Sequence, residues 1–218
     1  ILQIAALTLG FIVHTQAPAS ASYDPVTGYG LSFDGANSTH LSIHPTQTID
    51  MTGDYGDGND FSISWWQFTT GPQTKWPRIF QFGNGGEYSD KFAISEEEDQ
   101  RMYFWINGAQ VFEPNFHMNI PADRVWNHIA FVKSGCTYTL FINGVREAWE
   151  TYSYQIGEVL GEPPVTHCMP FFYDTRNLEL LIGGPNSETL GSFNGTILGF
   201  QISTSARWAT ETFTPPQD

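Results

Sequence analysis

Cysteine and positive charge are the two scarce commodities of this chain. Only 2 cysteines, Cys136 and Cys168, occur in 218 residues. Neither belongs to a CxxC pair or a comparable spacing, which argues against a cysteine-built zinc or thiol-redox site. One disulfide or two buried thiols fit the count equally well. Lys plus Arg number 9 against 23 Asp plus Glu, a formal net charge of −14. So acidic a chain repels phosphate backbones and anionic membrane surfaces, which argues against nucleic acid as a direct partner. Cations, neutral sugars and protein surfaces stay open.

Other absences narrow the field further. No window sustains a 3.6-residue apolar period, so a helical architecture is not expected. No Ser/His/Asp nucleophile motif and no phosphate-cradling loop occurs. The six histidines, at 14, 40, 44, 117, 128 and 167, have no metal-ligand spacing. His40 and His44 come closest, but four positions along a strand place them about 13 Å apart. His128 reads as a strand residue packed beside Trp126.

What the chain does have is 15% aromatic residues, 21 Gly and 13 Pro. That is too aromatic for a disordered chain and too rich in helix breakers for a bundle. The length fits a single all-β domain. The first segment, ILQIAALTLGFIV (1–13), is apolar but short of the ~20 residues a membrane span needs. With HTQAPASAS behind it, the segment reads first as a signal-peptide core truncated at its charged start. If retained, it is an arm docked on a neighbouring subunit, or a membrane anchor and the chain's one route to a membrane. Residues 1–28 are therefore expected to be this segment and a Pro- and Gly-containing linker, and residues 29–218 the folded domain.

From Leu31 the chain becomes a series of short β-rich runs: LSFDG (31–35), THLSIH (39–44), FSISWWQF (61–68), RIFQFG (78–83), KFAIS (91–95), RMYFWING (101–108), WNHIAFVKSG (126–135), CTYTLFINGV (136–145), LELLIGG (178–184) and NGTILGFQIS (194–203). In the third, Phe61, Ile63 and Trp65 alternate onto one face, so Trp65 and Trp66 must point opposite ways. Asn107-Gly108, Ser134-Gly135 and Asn143-Gly144 are hairpin turn signals. Evenly spaced alternating runs predict two antiparallel sheets stacked through their apolar faces. The Pro-containing stretch from Thr151 to Thr175 is expected to be an extended loop.

In this order, GLSFDGANSTHLSI, FSISWWQF, RIFQFGN, MYFWINGAQV, VWNHIAFVKSGCTYTLFINGV, LLIGG and FNGTILGFQIS resemble the laminin-G-like and pentraxin-like domains of the concanavalin-A-like jelly-roll superfamily. The most specific pieces are WNHIAFVKSG–YTLFINGV, which is similar to the family's central hairpin, and FNGTILGFQIS, similar to its closing strand. The tail ARWATETFTPP resembles the ends of such domains in phage, algal-virus and other surface proteins. The resemblance covers about residues 29–216. It implies an all-β, two-sheet antiparallel jelly-roll sandwich. Its members include sugar lectins, matrix-protein binders, opsonins and virion decorations, so fold and function have to be argued separately.

Several site expectations follow. Asp54, Asp57 and Asp60 bring three carboxylates into one Gly-containing loop, a pattern that can hold Ca²⁺ or serve as a solvated acidic turn. By resemblance to the pentraxin-like calcium site, Glu87 and Asp90 would face Asn186 and Glu188, although the adjacent Asp-Asn pair and the clustered Glu-Gln-Asp of those relatives are absent. Glu96 and Glu98 invite comparison with glucanases of the same superfamily. A retaining hydrolase needs two carboxyls about 5–5.5 Å apart, and here the alternating acids of that motif are incomplete. No enzyme is expected. Exposed aromatics are the usual sugar platforms, with Trp76, Trp149 and Tyr88 as candidates. A Cys136–Cys168 bridge would pin the HCMPFFY loop (167–173) to the central hairpin. Asn37 and Asn194 head N-glycosylation sequons, weak signs of a secretory route. Together these readings lead to an extracellular, cell-surface or virion-surface module. Its expected partner is a glycan or glycoprotein surface, or else neighbouring subunits of an assembly.

Overall fold

The computed structural model describes residues 2–3, 20–24, 28–36, 39–43, 60–71, 73, 76–83, 92–96, 102–106, 109–110, 124–151, 153–156, 165–168, 178–185, 191–208 and 210–216. In chain order the strands are β1 (Leu2–Gln3), β2 (Ser20–Asp24), β3 (Gly28–Asp34), β4 (Leu41–Ile43), β5 (Phe61–Thr69), β6 (Arg78–Phe82), β7 (Phe92–Glu96), β8 (Met102–Ile106), β9 (Ala109–Gln110), β10 (Trp126–Ser134), β11 (Thr137–Ile142), β12 (Val145–Thr151), β13 (Ser153–Ile156), β14 (Val165–Cys168), β15 (Leu180–Ile182) and β16 (Asn194–Ser203). No helix occurs among the described residues.

Two antiparallel sheets carry the fold. The larger runs β12-β11-β10-β5-β16-β3-β2, with β1 beside β16, and the smaller runs β4-β15-β6-β7-β8-β9. These are the two stacked sheets that the alternation predicts, in the jelly-roll sandwich that the family resemblance implies. In β5 the inward set Phe61, Ile63 and Trp65 is fully buried. Register carries the same face across the sheet, since Phe61 lies opposite Lys133, Ile63 opposite Phe131 and Trp65 opposite Ile129. The inner faces meet through rings, with Trp65 5.7 Å from Phe80 of the smaller sheet and Phe80 5.4 Å from Phe200 of the larger. A single apolar cluster, from Phe33 and Leu41 to Phe200 and Ile202, fills the space between the sheets.

Three expectations need correction. The stretch after Thr151 is not wholly an extended loop, because β13 and β14 pair within it from Ser153↔Cys168 to Ile156↔Val165. The β-favouring SYQI and VTHC runs supply the strands, and Pro163 and Pro164 fall between them. Residues 20–24, read as linker, form the edge strand beside β3, and Leu2 and Gln3 pair with Ile202 and Gln201. His128 packs on cross-strand and tail neighbours, edge-on to Trp66 at 5.2 Å, rather than on Trp126 two positions away.

The turns are settled by local chemistry. Asn143 and Gly144 both have positive φ, 52° and 81°, as the tight primed hairpin turn requires. Asn143 accepts from the His128 N–H through Oδ1 and donates through Nδ2 to Asn127 Oδ1, both at 2.9 Å. The Ser134-Gly135 turn is held by Asp60, whose Oδ1 accepts the Gly135 N–H at 2.7 Å. Gly183, just after β15, has φ 85° and would bring a Cβ to 2.1 Å from the Phe33 ring.

Gly183→Ala therefore combines a strained backbone with a clash inside the core and should lose about 3 kcal/mol in urea unfolding. Gly135→Ala, at φ 53° with nothing within 4 Å of the added methyl, should lose only about 1 kcal/mol, the backbone penalty alone. Equal losses at the two positions would contradict this packing.

Candidate functional site

The outer face of the larger sheet is the place where structure departs most from a plain solvated surface. Inward positions of β5 are 61, 63, 65, 67 and 69, so Trp66 and Phe68 face out. Cross-strand pairing builds rows from them. Phe68 lies opposite Trp126 on one side and Thr196 on the other, and Thr196 lies opposite Ser32. This row holds two half-buried aromatic rings, 5.5 Å apart, followed by two hydroxyls in contact at 2.9 Å. The row above it holds Trp66, His128 and Leu198. At the rim beyond the aromatic pair, exposed Thr70 lies beside Asn194, whose carbonyl accepts the Thr70 N–H at 3.1 Å. Asn194 in turn lies opposite exposed Asp34. Arg124, also exposed, donates its N–H to Thr69 O at 2.9 Å.

The face is held rigidly. Gln73 mimics a strand partner for Asn194. Its Oε1 accepts the Asn194 N–H at 3.0 Å and its Nε2 donates to the Asn194 carbonyl at 3.1 Å. Asn127, buried beneath Trp126, donates to Val125 O at 3.2 Å and accepts from Asn143. Val125 itself is 51% exposed, one of the two large apolar side chains most open to water among the described residues.

The other half of this outer face is covered by the C-terminal tail. After β16 the chain turns back, and Ala206, Trp208 and Phe213 pack on Ala130, Val132 and Phe141. Trp208 and Phe213 stack at 4.5 Å, and both stand edge-on to His128, at 6.0 and 5.7 Å. Trp66 Nε1 donates to Pro216 O at 3.2 Å. Burial and the nearby Arg207 guanidinium lower the His128 pKa to about 4.

The candidate catalytic acids lie elsewhere. Glu96 closes β7 facing into the sandwich and is 1% exposed. Its Oε2 accepts from Gln67 Nε2 at 2.8 Å, and Gln67 Oε1 accepts the Trp65 indole N–H at 2.9 Å. Glu98 falls outside the described residues. So do Asp54, Asp57, Glu87, Tyr88, Asp90, Asn186, Glu188 and Asn37. Of the calcium candidates only Asp60 is described, with Oδ1 engaged by the Gly135 N–H. Among the described residues no three of His, Cys, Asp and Glu converge on one point. Trp76 is half-buried in a loop with φ 54°. Trp149 lies within β12 opposite Thr139, and Cys136 is half-buried just before β11.

The aromatic row was open to discovery in the sequence through one signal. Alternation that puts Trp65 inside puts Trp66 and Phe68 outside, and the Trp126 run pairs antiparallel with them. The tail's role had no such signal, because ARWATETFTPP has neither period.

Comparison with known proteins agrees with this architecture. No curated protein matches the chain. Among solved structures, domain 4 of AbnA, an extracellular arabinanase from Geobacillus stearothermophilus, in complex with arabinotriose, is similar at 17% identity and a TM-score of 0.54, over 94% of this chain and 80% of that one. The Trypanosoma rangeli sialidase in complex with sialic acid is similar at 11% identity and a TM-score of 0.53, over 88% of this chain. This chain matches only 27% of the sialidase's length. At such identities the likeness is one of fold. A laminin-G-type family model, described as the concanavalin A-like lectin/glucanases superfamily, matches residues 33–211, and the chain therefore belongs to that superfamily.

Proposed function

We propose that this protein is a non-catalytic, extracellular or virion-surface binding module that recognises glycans on the outer face of its larger sheet. The observation that carries the reading is the row Trp126, Phe68, Thr196, Ser32. Aromatic faces stack on the C–H groups of a pyranose, while neighbouring hydroxyls, amides and charged groups take its OH groups. This row and its rim supply both kinds of contact on one rigid surface. An N-glycan on Asn194 would stand at the edge of the same face and compete with a ligand for it.

The absence of hydrolysis is part of the proposal. Glu96, held under Trp65 by Gln67, is out of reach of a substrate on either outer face. Two calcium sites belong to the proposal as separate candidates, one at Asp54, Asp57 and Asp60 and one at Glu87, Asp90, Asn186 and Glu188. The two solved neighbours are in complex with arabinotriose and sialic acid, both carbohydrates, which agrees with a glycan partner without naming one.

A glycan array, run with and without EDTA, tests the reading directly. Trp126→Ala and Phe68→Ala should each weaken a glycan hit about tenfold, or about 1.4 kcal/mol, while Glu96→Gln leaves it unchanged. Absence of any binding in both conditions, or hits indifferent to both aromatic substitutions, would overturn it. EDTA sensitivity would assign the acidic loops to calcium.

A Cys136–Cys168 bridge belongs to the same proposal. Cys136 and Cys168 are the two cysteines of the chain. Register supports the pairing. Thr137, next to Cys136, lies opposite Thr151, and Cys168 lies opposite Ser153. The bridge would tie β14 to the central hairpin, and its reduction should cost about 3 kcal/mol of unfolding free energy. Thiol titration in denaturant should find two thiols only after reduction; two before it would dismiss the bridge.

One observation favours a second reading, a subunit of a virion, filament or cell coat. The pairing of Leu2 and Gln3 with Ile202 and Gln201 is strand addition to a sheet edge, and it works equally well between copies. Deleting residues 1–22 would then turn a sedimenting oligomer into a monomer.

A further inference from the structure

The C-terminal tail rests on a single titratable ring. His128 is 1% exposed, and its Nδ1 is buried without a hydrogen-bond partner. Three aromatic rings surround it: Trp66 from β5, and Trp208 and Phe213 from the tail. An imidazole in this setting has room for no proton on Nδ1, because a charged ring would leave that N–H unsatisfied in an apolar enclosure.

Among the described residues nothing around the ring compensates such a charge. On the described part of the tail the charged groups are Arg207, whose guanidinium lies 4.8 Å over the Trp208 ring, and Glu211. Glu211 is already engaged, pairing with Arg146 of β12 at 2.7 Å. Glu147, also on β12, is exposed to water. On β5, Asp60 precedes the far end and holds Gly135, and the described run of β16 carries no charged residue. The nearest strong field at His128 is therefore that of a cation.

The remaining tail contacts include hydrogen bonds that water can replace. Arg207 N–H donates to Ser62 Oγ at 2.8 Å, Ser62 Oγ to Ser205 O at 2.6 Å, Trp66 Nε1 to Pro216 O at 3.2 Å, Phe213 N–H to Gly144 O at 2.8 Å, and Arg146 N–H to Glu211 O at 3.0 Å. With the aromatic contacts gone, these sit at the solvent boundary and hold little on their own.

We propose that the tail is a pH-sensitive strap: protonation of His128 drives Trp208 and Phe213 off the sheet and opens the outer face from Trp66 to Phe141. The opened surface is continuous with the Phe68 and Trp126 row, so mild acid enlarges the aromatic face of the module. The device itself does not depend on glycan recognition, and its test needs no ligand.

The sign follows from linkage. With the strap closed, His128 keeps a pKa of about 4; open to water it returns to its ordinary 6.5. Above 6.5 both states are neutral and closure is unaffected. Below it only the open state takes the proton, so the closed-to-open ratio falls as pH drops, by up to about 300-fold once pH passes below 4.

Hydrogen exchange between pH 7 and 4, corrected for the intrinsic rate at each pH, measures this. Protection of the Arg207 and Phe213 amides should fall by about 100-fold between these limits, while Ile129 and Phe131 in the core of β10 keep theirs. His128→Phe should abolish the pH dependence, and Arg207→Gln should shrink it, because without the neighbouring cation the closed-state pKa moves back toward 6.5. Should His128→Phe not fold, the wild-type imidazole resonances decide. A His128 titration near 6.5 with the tail amides still protected would overturn the proposal, as would tail protection that stays level down to pH 4 or falls equally in His128→Phe.

Discussion

The register of β5 between β10 and β16 is the constraint on which the molecule depends. This strand has paired neighbours on both sides, so both of its faces are committed at once. Slipping its pairing by one residue would exchange the faces, sending Ser62 and Ser64 into the sandwich and Trp65 out of it. The core then determines its own polar requirements. Trp65 reaches both Phe80 and Phe200, but its indole N–H must be paired when buried. Gln67 meets that need, and its own amide is met in turn by Glu96. Glu96 thus stands in a chain of polar requirements beginning at a tryptophan.

The same register explains how much of the fold was legible in the sequence. Period-2 alternation in FSISWWQF and WNHIAFVKSG, and Asn143-Gly144 with its two positive-φ positions, are local signals with local causes, and they led to the two-sheet body. The β13–β14 hairpin was obscured because Pro163 and Pro164 dominate its surroundings while its strands are only four residues each. His128 was assigned to Trp126 by nearness in sequence. Its actual partners come from β5 and from a tail some 80 positions away, and no periodicity encodes such a meeting.

The candidate site shows the same division. That Trp66 must oppose Trp65 is a one-strand argument. That Phe68 and Trp126 share a row with Thr196 and Ser32 requires four strands in register, which only the folded chain supplies. Trp76 and Trp149 were favoured because they lie near loops and turns, yet one is half-buried and the other belongs to a strand.

The outer face also poses a problem of its own. An antiparallel sheet with one face on the core ordinarily shows polar side chains on the other, as β5 does at Ser62 and Ser64. Trp66, His128, Val132 and Phe141 break that rule, and the tail accounts for them by covering them. It does not account for Phe68, Trp126 and Val125, which lie beyond the tail and keep partial contact with water. Polar residues there would satisfy the fold at the cost of the Phe68–Trp126 ring contact alone, 5.5 Å between centroids. Rings left at a water boundary, beside paired hydroxyls and at the margin of the tail, agree with the contact face proposed for this sheet.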